Sequence, residues 1–166
     1  MKNIILIGMS GVGKSTLGKL LAKKLNMNFL DTDSLIQSSQ NMKLQEILNK
    51  NGIDYFMKIE ESILCKINVE NTIIATGGSA VYYEGAMKHL KKNGMIVYLY
   101  VPYDELFSRL SNIEKRGIVM EAGSTFKDVY DSRLKLYEKY SDLTIDCSGK
   151  KNIRSNVDNI AKRILM

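Results

Sequence analysis

Four apolar residues, Ile4 to Ile7, run directly into Gly8-Met9-Ser10-Gly11-Val12-Gly13-Lys14-Ser15-Thr16. The pattern G-x-x-x-x-G-K-[ST] is met by Gly8, Gly13, Lys14 and Ser15. Few features constrain a chain as tightly, because this loop works only between a buried strand and the first turn of a helix. The glycines let backbone N–H groups of Gly11, Val12, Gly13 and Lys14, with those of Ser15 and Thr16, turn inward around a phosphate. The helix opening at Lys14 adds the positive end of its dipole. Lys14 reaches β- and γ-phosphate oxygens, and the Ser15 hydroxyl is placed to ligate magnesium. A nucleoside triphosphate site is expected there, with ATP and Mg2+ as its ligands.

The rest of the chain alternates short apolar runs with helical patterns. Strands are expected at Asn3 to Ile7, Asn28 to Leu30, Thr72 to Ala75, Met95 to Tyr100 and around Thr144-Ile145. Helices are expected from Lys14 to about Leu25, from Ser34 to Asn49 and from Asp54 to about Ile67, with more after Thr76 and Pro102, through Val129 and at the end. The first of these presents Leu17, Leu20, Leu21 and Leu25 on one face, and Pro102 sits in the first turn of its helix. Strands separated by helices imply a parallel sheet covered on both faces, a three-layer α/β/α arrangement of five strands. At 166 residues this is one domain, 1–166. Residues 111–125 carry charges and two glycines without periodicity, as a mobile lid would.

Composition narrows the function little. A net charge of +6 permits anionic partners, but no basic stripe points to nucleic acid. The apolar run after Lys2 is too short for a signal peptide or a membrane span. Cys65 and Cys147 form no C-x-x-C pair, so two reduced thiols in a cytoplasmic protein are expected, and a monomer.

The class of P-loop protein follows by elimination. A GTPase needs N-K-x-D, and Asn49-Lys50-Asn51-Gly52 ends in glycine. A motor ATPase carries an apolar strand ending in Asp-Glu, whereas Thr72 to Ala75 leads into Thr76-Gly77-Gly78-Ser79. A compact phosphotransferase remains. Asp31 and Asp33 leave the end of the second strand, where ligands collect in open sheets. One is expected to face magnesium and the other an acceptor hydroxyl. Helix capping is the competing reading.

Taken together, GMSGVGKST, Asp31-Thr32-Asp33, Ala75-Thr76-Gly77-Gly78, Arg116 and Arg133-x-x-x-Tyr137 resemble the shikimate kinase family along nearly the whole chain. The resemblance implies a nucleoside-monophosphate-kinase type of fold and ATP-dependent phosphorylation of shikimate to shikimate 3-phosphate, a step of aromatic amino acid biosynthesis. It also implies that Asp33 holds the acceptor's hydroxyls, Asp31 lies near the metal, Arg133 takes the acceptor carboxylate, Gly77 and Gly78 line its pocket, and Arg116 meets ATP from the lid. Lys14, Asp33 and Arg116 would then be the catalytic set.

Three positions depart from the family pattern. Where G-E-x-x-F-R-x-x-E is usual, Gly52 to Glu60 keeps Phe56 and Glu60 but has Met57 for the arginine that grips the acceptor carboxylate beside Arg133. Methionine has no donor. Lys58 is next door, but one helical step turns it by about 100°. Ser79 replaces the third glycine of the triplet. Gly117-Ile118-Val119 replaces Pro-Leu-Leu after Arg116, which loosens the lid. Two of the three changes fall where the acceptor sits, so a different small polyol or hydroxy-acid acceptor is a second reading. A regulatory homologue that binds ATP without turnover is a third.

Other features carry less. His89, among Lys88, Lys91 and Lys92, reads as solvated surface. The tyrosines are scattered over different elements and read as packing. Arg109 flanks either adenine or solvent.

Restoring the arginine tests the departure at position 57. Met57→Arg is expected to lower the apparent acceptor constant by about tenfold to a few hundredfold, the worth of a hydrogen bond to a charged group, in a steady-state titration of acceptor.

Overall fold

The computed structural model describes residues 2–110, 118–149 and 152–166. Its centre is β1 (Asn3–Ile7), buried along its whole length. There follow α1 (Lys14–Leu25), β2 (Asn28–Asp31), α2 (Thr32–Gln40), α3 (Leu44–Asn51), α4 (Ile53–Lys66) and β3 (Thr72–Ala75). A short 3-10 turn (Ala80–Tyr82) precedes α5 (Glu84–Asn93) and β4 (Gly94–Tyr100). The chain ends with α6 (Tyr103–Arg109), α7 (Phe126–Tyr140), β5 (Leu143–Asp146) and α8 (Ile153–Leu165).

All strand pairings are parallel, in the order β2-β3-β1-β4-β5. The expected five-stranded parallel sheet is therefore present. Continuous apolar strands suit a sheet covered on both sides, and the register shows how. Leu6 meets Gly18 of α1, so it faces that helix. Ile7 pairs with Tyr98, which stacks on Tyr137 of α7 at 5.0 Å. Adjacent residues of a strand face opposite ways, so α1 and α7 lie on opposite faces. Buried Asn3 fastens the other end of the sheet, donating to Val69 O at 2.6 Å and accepting from Thr72 N at 3.1 Å.

A second, smaller core forms where Ile36 of α2, Ile47 of α3, Phe56 of α4 and Val119 meet. Met57 packs against both cores. The helix expected across 34–49 is in fact two. It breaks at Asn41, whose left-handed backbone caps α2, and α3 restarts behind Lys43. Asparagine tolerates that conformation better than other non-glycine residues.

Smaller differences have equally local causes. Leu20 is 37% exposed, because Gly18 and Ala22 carry the buried face of α1 and bring it close to Phe29. Pro102 is the N-cap of α6, with extended backbone, and so sits one position before the first turn. His89 is half-buried, its Nε2 2.7 Å from Ile67 O at the end of α4, so it closes a helix terminus. Arg109 pairs with Glu105. No helix among the described residues is long and apolar enough to cross a membrane, and Cys65 and Cys147 form no disulfide.

The tightest point of the sheet is Gly94, where a Cβ would stand 2.5 Å from Asn3 O and 2.5 Å from Ile5 Cδ1. Gly94→Ala must push β4 from β1. It is expected to cost about 2 kcal/mol and to lower the thermal midpoint by about 4–8 °C, read by calorimetry.

Candidate active site

The site grows from the carboxyl ends of β1, β2 and β3. Beyond Ile7 the loop turns through Gly13, which caps α1 with φ 97°. Lys14 is thereby folded back under the loop, 8% exposed, with Nζ donating to Gly8 O at 2.6 Å and Met9 O at 2.8 Å. Ser10, Gly11, Gly13, Lys14, Ser15 and Thr16 line a cavity of about 320 Å3 that also reaches Asp33, Thr76 and Gly78. Val12 differs from its neighbours. Its side chain is buried in the main core and its N–H bonds to Met9 O, so only backbone geometry links it to the loop.

The two aspartates face different groups, and the chain between them is not extended. β2 stops at Asp31, and Asp33 already lies in the first turn of α2. Asp31 is the N-cap, accepting from Asp33 N at 3.0 Å and Ser34 N at 3.3 Å through Oδ1. Its other oxygen, Oδ2, takes the Ser15 hydroxyl at 2.5 Å. Capping thus belongs to Asp31 and leaves Asp33 free to face inward. The helix dipole stabilises both charges.

Three groups surround Asp33. A Cβ on Gly77 would lie 2.8 Å from Asp33 Oδ1 and 2.6 Å from Glu60 Oε1, so only glycine fits between the two carboxylates. A Cβ on Gly78 would lie 2.7 Å from Arg133 Nη1. Thr32, fully buried, accepts from Gly77 N at 3.2 Å, and Tyr137 donates to Gly78 O at 2.6 Å, so both glycines are pinned. Arg133 is 1% exposed. It donates through Nε to the Tyr82 hydroxyl at 3.1 Å and through Nη2 to Val119 O at 2.8 Å, and meets no ion-pair partner among the described residues.

Between Asp33, Glu60, Gly77, Ser79 and Arg133 the open space is only about 20 Å3, closed over by Ile118 and Val119. That holds about one water molecule. A larger cavity of about 590 Å3 adjoins it across Val119, lined by Ile53, Met57, Tyr82, Met120 and Val129 among others. Met57 faces this outer space rather than the inner one. Lys58 is exposed on the next helical step. Arg116 and residues 111–117 of the expected lid lie outside the described residues.

Burial dominates the electrostatics. It lowers Lys14 to about 8, with Arg133 adding to the effect and Asp33 and Asp31 opposing it. It raises Asp33 to about 6, a rise that Asp31 reinforces and Lys14 opposes. Glu60 is raised to about 7 by burial, although Ser79 and Tyr83 donate to its Oε2 at 2.6 and 2.7 Å. Its Oε1 has no hydrogen-bond partner among the described residues. Glu60 stands in the buried stripe Phe56, Glu60, Leu64 of α4. An acid at that spacing on an apolar helix face is the signal that marks it, and Tyr82, Tyr83 and Thr32 have no comparable signal. A phosphate-cradling loop, a buried guanidinium with no ion-pair partner among the described residues and a carboxylate between them can orient a hydroxyl against a phosphoryl group.

Comparison with known proteins agrees with this chemistry. The shikimate kinase family model matches residues 10–165. A shikimate kinase of Sulfurihydrogenibium sp. is 35% identical over 165 residues, spanning 99% of this chain and 98% of the relative. One from Thermodesulfovibrio yellowstonii is 40% identical over 152 residues, 90% of this chain and 87% of the relative. The structure of the Acinetobacter baumannii shikimate kinase in complex with shikimate superposes with a TM-score of 0.90 at 28% identity, covering 99% of this chain and 93% of that one. The chain belongs to the shikimate kinase family.

The buried Glu60 makes stability depend on pH. Its folded value of about 7 exceeds the ordinary 4.5, so the native state binds the extra proton between those values. That stabilisation is complete below pH 4.5 and lost as pH rises through 7. Glu60→Gln removes the titration. Its stability relative to wild type is expected to rise by about 3 kcal/mol between pH 4.5 and pH 8, measured by urea unfolding at each pH.

Proposed function

We propose that this member of the shikimate kinase family transfers the γ-phosphoryl group of ATP to a hydroxyl of shikimate, forming shikimate 3-phosphate. The observation that carries the reading is the placement of Asp33. It lies between the lysine of the phosphate loop and an inner gap whose far wall is the guanidinium of Arg133, which has no ion-pair partner among the described residues. A hydroxy acid spans those two groups, with its carboxylate on Arg133 and a hydroxyl on Asp33. Bidentate guanidinium–carboxylate pairing gives orientation as well as affinity.

Asp33 acts mainly by orientation. The transition state for phosphoryl transfer is loose, so the attacking oxygen needs to be in line more than it needs early deprotonation. The raised Asp33 carboxyl, at about 6, is still largely ionised at neutral pH and accepts the hydroxyl proton as the new bond forms. Lys14, already desolvated, shifts from the Gly8 and Met9 carbonyls to phosphate oxygens and offsets charge developing on the transferring group. Ser15 Oγ and Asp31 Oδ2 converge at 2.5 Å, a pair of hard oxygens that suits Mg2+ arriving with the nucleotide. Bound there, the ion supplies charge neutralisation at the phosphates. Acceptor entry requires Val119 to leave Arg133, since the inner gap of about 20 Å3 is far smaller than a six-membered ring. Reduced thiols and a nucleotide substrate fit a cytoplasmic enzyme.

A second reading has its own observation. The outer cavity presents Met57, beside Ile53 and Val129, where the family pattern has an arginine, which favours an acceptor bearing an uncharged, more apolar substituent.

Magnesium-dependent ADP release, titrated with shikimate, quinate, dehydroshikimate and simple polyols, separates these readings. Saturable turnover on shikimate is expected. Asp33→Asn should then lower kcat by at least ~100-fold, while ATP binding measured by calorimetry persists. Turnover on another compound alone would transfer the reading to that acceptor. ATP binding without any turnover would overturn both.

A further inference from the structure

Glu60 is the one described residue with a buried side-chain oxygen that has no partner, and the reaction outlined above does not use it. The carboxylate is fully buried in the middle of α4. Two donors converge on Oε2, the Ser79 hydroxyl at 2.6 Å and the Tyr83 hydroxyl at 2.7 Å. Their pull orients Oε1 toward Gly77, on the far side of which stands Asp33 Oδ1. Oε1 therefore opens into the inner gap that Arg133 and Ser10 also line. The charges facing it are Asp33 from α2, which disfavours its ionised form, and Arg133 from α7, which favours it.

Position 57 bears on the same carboxylate. Met57 precedes Glu60 by three residues, a spacing that puts two side chains on one helical face. An arginine there, as the family pattern has, would reach both Glu60 and the gap. Methionine supplies no donor and is turned toward the outer cavity and the two cores. A serine at position 79 stands where that pattern has a glycine, which could donate nothing from a side chain. The two departures thus meet at one group. A donor is missing on one side of Glu60 and a donor is present on the other.

We propose that Ser79 is a positioning residue coupled to Met57: its hydroxyl holds Glu60 with Oε1 aimed into the acceptor gap, where that oxygen accepts a hydroxyl adjacent to the one held by Asp33. Desolvation leaves Glu60 titrating near neutrality, at about 7, and the Ser79 hydrogen bond favours the ionised, accepting form. Acceptor binding therefore strengthens as pH rises through that value. The inference rests on the shikimate kinase reading for the identity of the acceptor, and on the geometry alone for the hold on Glu60.

The test has an arm for each. In the free full-length protein, the side-chain carboxyl carbon of Glu60 is followed by 13C NMR from pH 5 to 9, assigned by its loss in Glu60→Gln. Ser79→Ala should move its midpoint upward by about one unit, and Ser79→Thr, which keeps the hydroxyl, should restore it. Tyr83→Phe removes the other donor and gives an independent shift if Ser79→Ala folds poorly. An unmoved midpoint in a folded Ser79→Ala overturns the proposal.

In the activity arm, Ser79→Ala should raise the KM for shikimate by about tenfold, with a smaller effect on kcat, and should displace the pH at which KM falls. In the Met57→Arg background the same substitution should change KM by less than about twofold, because the coupling is then lost. Equal effects in both backgrounds overturn the coupling. A wild-type enzyme silent on shikimate overturns the activity reading instead, and the titration, which needs no substrate, still decides whether Ser79 holds Glu60.

Discussion

The burial of Arg133 organises this molecule. A guanidinium that is 1% exposed, with no ion-pair partner among the described residues, is costly to keep out of water. The structure offsets that cost with neutral acceptors. Tyr82 and the Val119 carbonyl take two of its donors, and its guanidinium lies 5.2 Å from the centre of the Tyr82 ring. The stacked pair Tyr98 and Tyr137 fixes α7 beneath it. Gly78 has to be glycine because Nη1 occupies the space a side chain would need. What the protein keeps is a buried positive charge with no ion-pair partner among the described residues.

Two cores divide the chemistry. The larger one grips β1, α1 and the loop between them, and so holds the phosphate-binding parts on the most rigid elements of the fold. The smaller core under α2, α3 and α4 carries Phe56 and Met57 and presents Glu60 to the acceptor gap. Val119 joins this second core and also accepts from Arg133. The acceptor side can therefore change, at Met57 and Ser79, without disturbing the nucleotide side. Ser79 lines the inner gap and Met57 the outer cavity, and neither lies in the sheet.

Much of this was legible one residue at a time. Gly8, Gly13, Lys14 and Ser15 announce their role because the phosphate loop is local: strand, turn and helix start lie within a single run of sequence. The sheet was legible because each strand is a short apolar run of its own. Capping was harder. Asp31 and Asp33 both read as candidates, and only the early start of α2 at Thr32 assigns the cap to Asp31. The break at Asn41 was hidden because the apolar pattern continues across it. His89 was read as solvated, since nothing local shows that the end of α4 lies beside it.

The sequence by itself determined the phosphate loop, the parallel sheet and the identity of the charged groups, because each is encoded by neighbours along the chain. It also marked Met57 and Ser79 as departures. Tertiary structure alone decided that Ser79 bears on Glu60, whose partners Ser79 and Tyr83 come from 19 and 23 residues away. It alone decided that Arg133 is buried, with no ion-pair partner among the described residues, and that Gly77 separates two carboxylates. The physical reason is the same in each case. Desolvation and hydrogen-bond geometry depend on which elements pack together around a group, and no stretch of sequence carries that information by itself.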